Sequence, residues 1–205
     1  MDKALKHLAR DAHLKALIKK YPPPAYRRRR NVFEALAKAI VYQQLSGKAA
    51  ATIYGRFAAA CTAAPTPQVV SRITVAKLRA CGLSGQKASY LKDLAAKFLD
   101  GTIEPKKFNN MSDEEIRNHV VAVKGIGPWT ADMFLMFTLN RPDVLPTGDL
   151  GIQKGFQKLY SLKRLPTPEA MERLAASWRP YRTYASWYLW RLADDGNPSR
   201  PTTNA

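Results

Sequence analysis

Between Ser112 and Leu139 the sequence leaves few ways to fold. Ser112 followed three residues later by Glu115 is a capping-box start, and Ile116, Val120 and Val123 behind it fall at helical spacing. The chain then meets Lys124-Gly125-Ile126-Gly127-Pro128 and has to turn. Glycine at 125 and 127 permits backbone angles and close approaches that a side chain would block, while Pro128 suits the first position of a new helix. From there Met133, Phe134, Leu135, Met136, Phe137 and Leu139 make a helix apolar on nearly every side, which belongs in a core, and Asn140-Arg141-Pro142 ends it.

Two helices joined by such a turn leave N–H groups of the second helix without intrahelical partners, aimed outward from its N-terminus. That end attracts an anion. With Lys124 in the same turn, a nucleic-acid phosphate fits, gripped without any base being read. Taken alone, the same residues also describe an ordinary helical hairpin whose glycines serve packing. A dinucleotide fingerprint is excluded, since no strand pattern precedes the loop and the third glycine is missing; no Walker-type Gly-Lys-Ser/Thr occurs either.

Charge points the same way. Lys and Arg number 33 against 16 Asp and Glu, a formal net charge of +17, which predicts a polyanionic partner. At 46% hydrophobic residues the chain should also bury a core, so it is not a basic disordered tail. No apolar run approaches the roughly eighteen residues needed to span a bilayer, and the N-terminus is no secretory signal. The only cysteines are Cys61 and Cys81, a usage that fits a reducing, intracellular compartment. His7, His13 and His119 are scattered without ligand spacing and read as surface or packing residues.

The remaining chain reads as helices throughout, with no convincing period-2 alternation, so the fold class is all-α. Residues 2–20 read as one helix, and three prolines between Tyr21 and Tyr26 make an extended connector to Arg27-Arg28-Arg29-Arg30, a solvated linker or a phosphate contact. An amphipathic helix from Asn31 stops near Ser46-Gly47, leaving Gln43, Gln44 and Leu45 at a break where side chains can project. Further helices are expected over 48–61, 68–81 and 83–99, with Lys87 a possible phosphate contact, then over 150–160, from Thr167 to Ala176 and over 181–194. Residues 196–205 read as a polar, mobile tail. By position alone Asp149 is a helix N-cap, and the aromatics from Trp178 to Trp190 are core.

The string Val123-Lys124-Gly125-Ile126-Gly127-Pro128-Trp129-Thr130-Ala131-Asp132, with Asp149 twenty residues after Trp129 in Leu145-Pro146-Thr147-Gly148-Asp149, resembles the helix-hairpin-helix and catalytic-aspartate signature of base-excision DNA glycosylases. Within that superfamily it is most similar to the DNA-3-methyladenine glycosylase II group, over roughly residues 32 to 191. The resemblance implies an enzyme that flips alkylated bases out of duplex DNA and removes them by hydrolysis, leaving an abasic site. Asp149 would be the catalytic carboxylate. Trp129, Trp190 and Met133 would line the base pocket, and Gln44 or Leu45 would fill the gap left by the flipped nucleotide. Lys124, Gly125, Gly127 and Thr130 would hold a phosphate, with a sodium or potassium ion on the carbonyls of Val121, Val123 and Ile126. Arg182 would give structural support.

Trp129 occupies the slot where strand-cleaving relatives place a lysine, so a monofunctional enzyme without lyase activity is implied. Two cysteines cannot ligate the iron–sulfur cluster of some relatives. Met133 and Arg191 depart from the family pattern, where relatives carry aromatics, and the chain reads as a minimal form without an extra N-terminal β domain. The expected architecture is two helical lobes with a DNA-binding cleft, one lobe from residues 32–141 and the other from 1–31 plus 142–205. A monomer acting on damaged double-stranded DNA is expected, in the cytoplasm, or the nucleus if eukaryotic. The competing readings are a glycosylase for deaminated or mismatched bases and a non-catalytic hairpin module that only binds DNA.

Overall fold

Helix caps set most of the observed boundaries. The computed structural model describes residues 1–26, 31–62 and 64–195, so Arg27–Arg30 and the tail 196–205 lie outside the described residues. The chain runs through α1 (Asp2–Leu8), α2 (Ala12–Lys20), α3 (Val32–Tyr42), α4 (Gly47–Ala60), α5 (Pro67–Arg72), α6 (Val75–Ala80) and α7 (Gly85–Leu99). It continues through a 3-10 turn (Pro105–Asn110), α8 (Asp113–Val121), α9 (Pro128–Phe137), α10 (Leu150–Leu159), α11 (Pro168–Leu174) and α12 (Arg182–Asp194). Among the described residues there is no strand, as the all-α reading requires. None of these helices is long and apolar enough to cross a membrane.

Two segments read as single helices are broken. Residues 2–20 divide at Asp11, whose carboxylate accepts the amides of His13 and Leu14 at 2.9 and 3.0 Å and so starts a second helix. Residues 68–81 divide at Thr74, which caps α6 through the amide of Lys77. In both cases a short polar side chain competes for the backbone and outweighs the continuous apolar period.

The chain forms two compact units, Arg29–Phe134 and Met1–Arg28 with Leu135–Ala205. The division falls within α9, ahead of the residue-141 boundary read from sequence. The last turn of α9 accounts for this, since Phe137 stacks on Trp190 at 5.9 Å and packs on Tyr26 at 5.7 Å, both in the second unit.

In the unit Arg29–Phe134, α7 is the hub, packing on α3, α5 and α6 around Leu36, Ile40, Phe57, Val70, Leu78, Leu91 and Leu94. Two lysines of α7 turn inward and close helix C-termini. Lys87 Nζ donates to the carbonyls of Val41 and Gln43 at the end of α3, and Lys92 Nζ to those of Ser71 and Ile73 at the end of α5. Burial lowers the Lys87 pKa. Lys87 therefore caps a helix, where the sequence had suggested a phosphate contact.

The other unit is built on α12, which packs along α10 and against α1 and α2. Its core holds Leu8, Leu14, Ile152, Phe156, Met171, Trp178, Tyr188 and Leu189. Gly155 is what lets α10 approach so closely: a Cβ there would lie 2.6 Å from the Leu189 carbonyl oxygen of α12. Lys158 of α10 in turn donates to the carbonyls of Leu192, Ala193 and Asp195, closing the end of α12.

Candidate active site and hairpin

The hairpin forms as the sequence prescribes. Ser112 and Glu115 make the reciprocal capping box that opens α8, Val123 and Ile126 are buried beneath the turn, and Pro128 starts α9. A second brace joins the two helices: Arg117 of α8 donates through Nε and Nη2 to Asp132 Oδ1 of α9, at 3.0 and 2.7 Å. Burial pushes the Asp132 carboxyl up while the guanidinium pulls it down.

The two glycines of the turn are needed for different reasons. Gly125 has φ of +81°, and a Cβ on it would fall 2.1 Å from the Tyr90 ring of α7. Gly127 has no neighbour within 4 Å of such a Cβ and no positive φ. The protein's own packing therefore makes no demand for glycine at 127. Gly125→Ala is expected to cost about 1–2 kcal/mol in backbone strain alone, before Tyr90 is displaced. Gly127→Ala is expected to leave the unfolding temperature unchanged and to weaken duplex binding. Equal stability losses in the two variants would refute this division of roles.

Lys124, Gly125 and Gly127 are exposed, whereas Thr130, grouped with them from sequence, is buried at 8% exposure. Trp129, the second residue of α9, is 49% exposed, a large ring half open to solvent at the start of a helix most of whose later residues are buried. Met133 is half-buried.

Asp149 takes the helix-capping place that its position in the sequence suggested. It is the N-cap of α10, and its Oδ1 accepts the amide of Ile152 at 2.9 Å and the indole Nε1–H of Trp190 at 2.8 Å. Trp190 lies against Gly151, where a Cβ would come within 2.8 Å of its ring, so this small residue beside Asp149 makes room for the indole. Trp190, read as a base-pocket residue, thus has its N–H directed to Asp149 and one face toward Phe137. Arg191 places its guanidinium 4.3 Å over the Trp187 ring, one turn back on α12.

The loop leading to Asp149 is fastened to the start of the same helix. Buried Arg182 donates to both carboxylate oxygens of Asp143, at 2.7 and 3.0 Å, and to its carbonyl at 2.9 Å. Thr183 accepts the Val144 amide through Oγ1 and donates the same hydroxyl to the Arg141 carbonyl. Two turns further along α12, Trp190 meets Asp149, so one helix fixes both ends of the loop. The structural role read for Arg182 is what the geometry shows. Asp143, Thr183 and Gly151 were not read from sequence. Their types carry no motif, although the Gly151/Gly155 spacing on α10 is a legible sign of a close helix contact.

The sequence matches the HhH-GPD superfamily base excision DNA repair protein family over residues 37–180. DNA-3-methyladenine glycosylase 1 of Schizosaccharomyces pombe is 36% identical over 200 residues, covering 93% of this chain and 88% of that protein. The structure of the Schizosaccharomyces pombe 3-methyladenine DNA glycosylase Mag1 in complex with abasic DNA superposes with a TM-score of 0.78 at 35% identity, covering 92% of this chain and 95% of the other. A DNA-3-methyladenine glycosidase from Bacillus halodurans superposes with a TM-score of 0.85 at 34% identity, covering 91% and 87%. With the hairpin, the spaced aspartate and these likenesses together, the chain belongs to the HhH-GPD superfamily of base excision DNA repair proteins.

Proposed function

We propose that this protein is a monofunctional DNA glycosylase that hydrolyses the N-glycosidic bond of alkylated bases of the 3-methyladenine type in duplex DNA, leaving an abasic site. The observation that carries the proposal is the Asp149 carboxylate, held at the N-terminus of α10 by a backbone amide and the Trp190 indole. Breaking the bond between sugar and base builds positive charge on the sugar, and a fixed carboxylate beside it stabilises that charge and orients or deprotonates the attacking water. An N-alkylated purine is itself cationic and leaves without a general acid. In this reading Trp129 and Trp190 offer aromatic faces that favour such a base over an uncharged one, and Met133 is assigned to the same role.

In this reading the hairpin grips the strand. The Lys124 side chain and the amides of Gly125 and Gly127 bind a phosphate, with Thr130 contributing from within the first turn of α9, while Gln44 or Leu45 occupies the space vacated by the flipped nucleotide. The requirement for glycine at 127 is then imposed by the approaching DNA backbone. The carbonyls of Val121, Val123 and Ile126 would hold a monovalent cation: neutral hard oxygens suit it, and the Val123 carbonyl, which accepts the Ile126 amide at 3.1 Å, keeps a second lone pair. Bound there, the ion would add positive charge facing the phosphate.

The test is base release from duplex DNA treated with a simple methylating agent. 3-Methyladenine is expected in the supernatant, with 7-methylguanine measured alongside for range. Borohydride reduction of the reacting mixture is expected to trap no covalent enzyme–DNA complex. Wild-type protein that releases no methylated base overturns the activity, and an efficient trapped adduct overturns the monofunctional assignment.

A further inference from the structure

The turn after α3 and the hairpin turn are tied to each other through one side chain. Gln43 Nε2 donates to the Gly125 carbonyl at 2.8 Å, and the carbonyl of Gln43 itself accepts Lys87 Nζ at 2.6 Å. The next residue, Gln44, has φ of +55°, a left-handed conformation uncommon for a non-glycine residue, and both Gln44 and Leu45 are exposed. Gly125 is held in its own left-handed conformation against Tyr90, and the Lys124 amide donates to Asp93 Oδ2 at 2.9 Å. One helix, α7, thus supplies Lys87 to the first turn and Tyr90 and Asp93 to the second.

We infer that Gln43 is a positioning residue that fixes the spacing between the intercalating turn at 44–45 and the phosphate-gripping turn at 124–127. The inference rests on the activity and wedge assignments proposed above. A residue that enters the base stack must do so at a set distance from the gripped phosphate, because the nucleotide rotates out about the strand that the hairpin holds. A left-handed residue persists only where its surroundings over-determine it. Lys87 and the Gly125 carbonyl fix the residue before it, Gln43, at two atoms, its carbonyl oxygen and its side-chain amide. The Gln43 bond adds registration against the hairpin, which Lys87 does not provide.

Gln43→Leu keeps the volume and removes the bond. In wild-type protein and this variant, three quantities would be measured: release of 3-methyladenine, affinity for abasic-site and for intact duplex, and fluorescence of 2-aminopurine beside the lesion as a report of unstacking. Base release is expected to fall about tenfold, as the loss of one well-made hydrogen bond predicts. Affinity for the abasic-site duplex and the unstacking signal should fall with it, while affinity for intact duplex stays within twofold (about 0.4 kcal/mol). Gln43→Asn, one methylene too short to reach Gly125, should behave alike and stands in if Gln43→Leu does not fold. Release and unstacking equal to wild type in a folded variant overturn the inference and leave the activity standing. Equal loss on both duplexes, or failure of both variants to fold, shows a structural role and overturns it as well. Absence of release by the wild type would overturn the activity reading itself.

Discussion

Asp149→Asn is expected to abolish measurable base release while leaving the protein folded and bound to DNA. Asn caps helices about as well as Asp, and its side-chain oxygen can still accept the Ile152 amide and the Trp190 indole that now engage Oδ1. What is lost is the negative charge. Removing one electrostatic partner of a developing transition-state charge typically lowers rate by about 10²–10³, and a full countercharge to a sugar cation should lie at or beyond that range. Single-turnover release from methylated duplex measures the effect, with thermal unfolding and duplex affinity as controls. A variant releasing base at the wild-type rate removes Asp149 from the chemistry, and a protein with no release to lose would be a DNA-binding module only.

Gly155→Val is expected to prevent the unit around α12 from packing. In an exposed helix, replacing glycine normally stabilises by up to about 1 kcal/mol, so propensity alone predicts the opposite sign. Here a Cβ would stand 2.6 Å from the Leu189 carbonyl oxygen and 3.0 Å from its carbonyl carbon, both backbone atoms that no rotamer change can move. Even Gly155→Ala must push α10 and α12 apart, and overpacking of this kind costs about 1–3 kcal/mol. The branched side chain of Val should cost more, and because Asp149 and Trp190 lie on the same two helices, base release should fall with stability. Urea unfolding of Gly155→Ala checks the sign: a midpoint at or above wild type contradicts the close crossing.

Much of this was legible because it is local. The capping box at Ser112, the Gly-Ile-Gly-Pro turn and Asp149 ahead of an apolar period each depend on neighbours within a few residues, and the structure forms each where the sequence placed it. The pairing of Trp190 with Asp149 spans forty-one residues and left no periodic trace. The same holds for Gln43 and Gly125, eighty-two residues apart. The breaks at Asp11 and Thr74 were missed for a different reason. An apolar stripe continues across each of them, and only the capping bonds reveal that the backbone has turned out of the helix. Steric demands between helices distant in sequence, such as the glycine at 155, become visible only when both helices are in place.

The lysines that close helix ends change how the basic surplus should be counted. Lys87, Lys92 and Lys158 donate hydrogen bonds from their ammonium groups to the protein's own carbonyl oxygens, so a polyanion approaching a chain of formal charge +17 finds three of those groups already engaged. Counterions released on duplex binding should therefore come mainly from the other cations, and neutralising any of these three by acetylation would loosen a helix end before it altered the slope of affinity against salt.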